Sequence, residues 1–169
     1  MLGLLQAITT LIAALSPVVT INPDERGVLV RLGKINRQLA PGLYFKWPVF
    51  DQIEKRSVVD TIADLNTQSL ITKDLKTVTV SGRLRYRIVN ITKAHFAVFD
   101  IDEALIEECE TAVADVVMGC TLQELAQHHK AKSTVLGLID EAVAEWGIDA
   151  QDFSFTNLTP CRAMRLMQE

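Results

Sequence analysis

The sequence is short of the features that catalytic and metal-binding proteins carry. It has three cysteines, Cys109, Cys120 and Cys161, with no CxxC spacing among them. An odd, scattered set excludes a disulfide framework and fits a reducing compartment, with each thiol acting as a small apolar side chain. His95, His128 and His129 show no HxxxH spacing, so no zinc signature is present. There is no GxSxG elbow, no phosphate-binding loop and no GxGxxG. Basic excess is also lacking. Seventeen Lys and Arg stand against twenty-one Asp and Glu, a net charge of −4, which speaks against a nucleic-acid partner. Cys120, Glu124 and His128 are spaced by four and could share one helix face, which is the one opening for a Cys/His enzyme. No catalytic, metal or cofactor residue is assigned.

Charge is missing altogether before Asp24. Residues 1–22 read as a hydrophobic anchor segment; as a helix, residues 1–21 would span about 30 Å, the thickness of a bilayer core. Leu4, Leu5, Ile8, Leu11, Ile12, Leu15 and Val19 form its apolar surface. Gln6, Thr9, Thr10, Ala13, Ser16 and Thr20 form a small, weakly polar stripe that suits contact with neighbouring helices in lipid. A shallow interfacial helix bent at Pro17 and a buried helix of a soluble core are the alternatives. No Lys or Arg precedes the apolar part, unlike a secretory signal.

Forty-nine per cent hydrophobic and 22 % charged residues fit a globular body of one ordinary domain. After Pro23 the pattern turns β-rich. Strands are expected at 27–32, 58–62 and 68–72, with turns at Gly33 and Pro41-Gly42 and a stop at Trp47-Pro48. Between 77 and 88 alternation is strict: Val78, Val80, Gly82, Leu84, Tyr86 and Ile88 on one face, Arg83, Arg85 and Arg87 among the residues on the other. That arginine stripe reads equally as a contact surface or as a solvated face paired with acids on the next strand.

A helix starting near Asp102 would bury Leu105, Cys109, Ala112, Val113, Val116 and Val117, with an acidic start that includes Glu107 and Glu108. Thr121 and Glu124 form a capping box that opens a second helix. Its seam of Leu122, Leu125, His129, Lys132, Leu136, Ile139, Val143 and Trp146 ends at Gly147. A last strand is expected at 153–159, and residues 161–169 read as the start of a helix.

Taken in order, several segments resemble the stomatin/prohibitin/flotillin (SPFH, or band 7) family, nearest its stomatin branch. They are Asn22-Pro23-Asp24-Glu25-Arg26-Gly27-Val28, Arg31-Leu32-Gly33-Lys34, Pro41-Gly42-Leu43-Tyr44-Phe45-Lys46-Trp47-Pro48, Thr72-Lys73-Asp74, Tyr86-Arg87-Ile88, Leu122 with Glu124-Leu125, Trp146-Gly147-Ile148 and Leu158-Thr159-Pro160. The resemblance implies an α+β fold over residues 23–160, with a curved, mainly antiparallel sheet and flanking helices behind an N-terminal hydrophobic membrane helix. It also implies a non-enzymatic scaffold whose partners are membrane lipids, further copies in a ring or lattice, and a membrane protease or channel. The body would lie on the cytoplasmic side. Departures are Arg83 and Arg85 in place of apolar residues, Cys161 in place of a second proline, and an end at Glu169 where a long helical arm normally follows.

Two surfaces are expected from this. Leu43, Tyr44, Phe45 and Trp47 would meet the membrane interface, core packing beneath the turn being the alternative. Arg83, Arg85 and Arg87 of one copy would face Glu107 and Glu108 of the next. A small adaptor subunit that binds a membrane protease complex without polymerising is the competing non-enzymatic reading.

Overall fold

The computed structural model describes residues 17–161, which form two compact units, residues 17–59 and 60–161. Where the sequence suggests one curved sheet, the strands form two antiparallel sets in the first unit and one in the second.

The first unit is entirely β. Strand β1 (Val18–Ile21) pairs with β4 (Gly42–Phe45), while β2 (Glu25–Arg31) lies between β3 (Lys34–Leu39) and β5 (Asp51–Ser57). The helix expected to run to residue 21 is corrected here. Val18, Val19, Thr20 and Ile21 are β-branched, which favours extended backbone, and they pair with Phe45 through Gly42. Val19, assigned to the anchor's apolar surface, therefore sits in a strand opposite Tyr44. Leu4, Leu5, Ile8, Leu11, Ile12 and Leu15 lie outside the described residues. Ile21, Leu29 and Leu39 form the buried core of this unit, with Tyr44 and Ile53 packed against them. The strand expected at 58–62 is also corrected: β5 ends at Ser57 and β6 begins at Thr61.

The second unit is built on β8 (Thr77–Ile88), which pairs along its length with β9 (Ile148–Pro160). Its other edge takes β6 (Thr61–Asp64) and β7 (Gln68–Ile71). The alternation read from the sequence is the alternation observed: Val78, Val80, Leu84, Tyr86 and Ile88 are buried, and Arg83, Arg85 and Arg87 are exposed. Helices cover the buried face. Asn90 caps α1 (Ile91–Phe96), and Asp100 caps α2 (Ile101–Gly119) by accepting from the Asp102 and Glu103 amides. Every residue expected on the apolar side of α2 is buried, with Ile101 added.

The expected second helix is broken. The capping box of Thr121 and Glu124 opens only α3 (Leu122–Leu125), and α4 (His128–Val143) starts afresh after Ala126 and Gln127. That break resets the helical phase, so the buried row is Ala131, Val135, Ile139 and Val143 at a spacing of four, and Leu136 only flanks it. Strand β9 starts at Ile148, five residues before the expected 153. The turn before β8 is fastened to the corner between α2 and α3: Lys73 N–H donates to the Cys120 carbonyl and Leu122 N–H to Asp74.

Gly147 ends the α4 region in a left-handed conformation, φ +73°, and its carbonyl accepts from both Val89 and Asn90 N–H. A β-carbon there would stand 2.8 Å from the Asn90 carbonyl oxygen, a backbone atom with little freedom to move. Gly147→Ala is expected to lower unfolding free energy by about 1–3 kcal/mol, read from the denaturant midpoint.

Candidate functional site

One end of the first unit collects apolar side chains that the unit does not bury. The register of β1 with β4 sorts the four residues of the expected membrane interface. Tyr44, opposite Val19, turns inward and packs on the core, whereas Leu43 and Phe45 share the outer face with Val18. Trp47 follows in the loop between β4 and β5, its ring edge-on to Phe45 at 6.0 Å. Three residues that the sequence reading did not single out complete the surface: Leu32 in the β2–β3 turn, and Val49 and Phe50 beside Trp47. Leu32, Leu43, Phe45, Trp47, Val49 and Phe50 are each between 52 and 83 % exposed.

Backbone bonds bring the turn and the loop together. Leu32 N–H donates to the Phe50 carbonyl at 3.0 Å, and Lys46 N–H donates to the Pro17 carbonyl at 2.7 Å. The uncharged segment 1–16 therefore joins the body beside Lys46 and Trp47. Leu32 holds a left-handed backbone, φ +50°, where asparagine or glycine would be less strained. A leucine in that position points its side chain outward at a cost in strain.

A buried carboxylate organises this end. Asp51 is 3 % exposed, and it accepts from Arg31 Nε at 2.6 Å, Arg31 Nη2 at 2.9 Å and the Trp47 backbone N–H at 3.1 Å. The Arg31 bond, helped by the Trp47 amide, holds the Asp51 carboxyl at about 2, below the ordinary 3.8, and Asp51 in turn raises Arg31.

The second expected surface is divided by the structure. Arg87 is bonded to Asp60 at 2.6 Å, and Arg83 lies 3.6 Å from Asp64, both on or beside β6 of the same chain. Arg85 stands opposite Ile62 and Asp152 and has no ion-pair partner among the described residues. Glu107 and the half-buried Glu108 lie on α2, against the opposite face of the sheet, where the Tyr86 hydroxyl donates to Asp102. One copy does not bring the arginines and these glutamates together.

Of the Cys120, Glu124 and His128 stripe, Cys120 and Glu124 border one pocket, and the His128 side chain lies outside the described residues. Glu124 spends its carboxylate on the Thr121 N–H and hydroxyl, which lower its pKa. Burial pushes the Cys109 thiol up to about 12, the wrong direction for a nucleophile. Among the described residues no three His, Cys, Asp or Glu side chains come together as metal ligands, and no helix is long and apolar enough to cross a membrane.

An all-β unit with an apolar end, followed by an α+β unit, defines the class, and comparison with known proteins places it. Residues 19–166 match the SPFH domain / Band 7 family, and the chain belongs to that family. It is 32 % identical over 148 residues to an uncharacterized protein of Archaeoglobus fulgidus, covering 87 % of this chain and 59 % of that one. It is 32 % identical to a stomatin homolog of Pyrococcus horikoshii (82 % and 52 % of the two chains). It is 31 % identical to human stomatin-like protein 3 (73 % and 44 %). The chain thus spans about half the length of these relatives.

The Asp51 pair generates a pH prediction. A carboxylate with a depressed folded pKa contributes stability that is present above its unfolded value and is lost as pH falls through the folded one. Unfolding midpoints should therefore drop as pH is lowered from about 4 to about 2. Asp51→Asn should lose that component of the pH dependence.

Proposed function

We propose that the chain is a non-catalytic, membrane-attached scaffold that assembles side by side with its own kind and organises a patch of membrane. Membership of the SPFH domain / Band 7 family supports the membrane-scaffold role. The observation that carries the attachment is local. Leu32, Phe45, Trp47, Val49 and Phe50 are exposed at the end where the uncharged residues 1–16 join the first unit.

Leucine, phenylalanine and tryptophan at such a place suit the interfacial zone of a bilayer, where aromatic rings are favoured. Lys34 and Lys46 adjoin them and suit anionic headgroups. Residues 1–16 serve as the anchor, through Leu4, Leu5, Ile8, Leu11, Ile12 and Leu15. Free Cys109, Cys120 and Cys161 favour a body on the reducing, cytoplasmic side. Modulation of a membrane protease or channel is the role proposed for the assembled form.

The test is electron microscopy and native mass measurement of the full chain in mild detergent or lipid. Many-copy rings or lattices are expected; a monomer would favour the small-adaptor reading instead. Deleting residues 1–16 should sharply reduce flotation with membranes, leaving only the weaker partition of the body, and a deletion variant that floats as fully as the parent would remove the anchor.

Two substitutions separate lipid contact from folding. Trp47→Ala with Phe50→Ser should weaken partition of the body into anionic vesicles about tenfold or more, since each buried ring contributes about 1.5–3 kcal/mol. Leu32→Asn should leave stability unchanged or raise it by up to about 1 kcal/mol while still weakening vesicle binding.

A further inference from the structure

We infer that the second unit carries a head-to-tail joint to a second copy of this chain, with Phe99 of one copy seated in a hollow on the arginine face of the next. The inference rests on the scaffold reading and names the surface through which copies would meet. The donor side lies between α1 and α2. Phe99 is fully exposed, next to the exposed Phe96, and no other part of the unit covers it. Glu103 and Glu107 follow one turn apart on α2 and border the same groove. Neither carboxylate has a hydrogen-bond or ion-pair partner among the described residues. Asp100, the other acid bordering this groove, is occupied in capping α2.

The acceptor side is a hollow of about 90 Å³ bordered by Ile62, Arg83, Arg85, Asp152 and Ser154. Ile62, paired across strands with Arg85, is 51 % exposed and gives the hollow an apolar floor. Among the described residues Arg85 is the one arginine of the stripe without an ion pair, whereas Arg83 and Arg87 are held by Asp64 and Asp60. The acid in the hollow, Asp152, is offset by Lys132 at 2.7 Å, so it leaves the site open to an incoming carboxylate.

The two sides complement each other in shape and sign. An aromatic ring flanked by two free carboxylates meets an aliphatic floor flanked by a free guanidinium, which can lie over the ring and also bond Glu103 or Glu107. Both halves belong to one chain, and they are different patches. Such a contact is heterologous: it repeats from copy to copy, giving a ring when the rotation closes and a filament when it does not. The charges fix register while Phe99 supplies the buried contact.

The experiment uses the full chain in phosphatidylcholine–phosphatidylglycerol vesicles, with Cys120→Ser and Cys161→Ser to remove accessible thiols. Carrying Val98→Cys and Ser154→Cys together, which border the two sides and leave Phe99 and Ile62 in place, it should oxidise to a ladder of covalent multimers, while either substitution alone gives no ladder. Arg85→Glu should lower the assembled fraction about tenfold or more, and mixing it with copies carrying Glu103→Lys and Glu107→Lys should restore assembly. If the parent assembles yet no ladder forms, or if Arg85→Glu assembles normally, this joint is wrong and the scaffold reading stands. If the parent does not assemble in lipid at all, the scaffold reading fails and the joint fails with it.

Discussion

The apolar end of the first unit depends on Asp51, a carboxylate taken out of water and satisfied from two directions. Arg31, at the end of β2, gives it two N–H bonds, and the Trp47 amide, in the β4–β5 loop, gives it a third. The pair ties the strand leading into the Leu32 turn to the loop that carries Trp47, Val49 and Phe50. An ion pair with one buried partner is a weak source of net stability, because desolvation of the carboxylate offsets much of the attraction. Its contribution here is geometric. It holds a short, strained turn and a proline-containing loop side by side, so that their large apolar side chains remain outward instead of collapsing onto the small core of Ile21, Leu29 and Leu39.

The second unit solves a different problem. Its sheet has one face closed by α2 and α4 and one face open, and β8 accordingly alternates apolar with arginine. Three adjacent like charges on an open face would repel. Asp60 and Asp64 offset two of them, leaving Arg85 available beside Ile62. A surface that is mostly neutralised, with one free charge next to one apolar floor, suits a specific contact better than a uniformly charged stripe, because register is then set by few groups.

Some of this was legible from the residues alone. The period-two pattern over 77–88, the apolar side of α2 and the stop at Gly147 were all readable, because one buried face or one left-handed residue determines each. The family was readable too, from motifs in order. Strands β3 and β5 were not: Lys34-Ile35-Asn36-Arg37-Gln38-Leu39 and Asp51 through Ser57 are largely solvated and carry little apolar period. At Val18–Ile21 the absence of charge suggests a continuing helix, and the four β-branched residues favour the strand that forms. The seam expected through α3 and α4 fails because a capping box marks where a helix starts and says nothing of where it breaks. At the site, Leu43, Phe45 and Trp47 could be named, but only the β1–β4 register separates them from Tyr44, and only the Leu32–Phe50 bond adds Leu32 and Phe50.

The central claim is that this end of the first unit enters lipid. The most direct measurement is the fluorescence of Trp47 in a Trp146→Phe background, with vesicles that carry bromine at defined depths on their acyl chains. The account expects a blue shift on vesicle addition and strongest quenching by bromines near the headgroup end of the chains. An emission maximum that stays at its aqueous position, with no quenching while the protein is vesicle-bound, would contradict it.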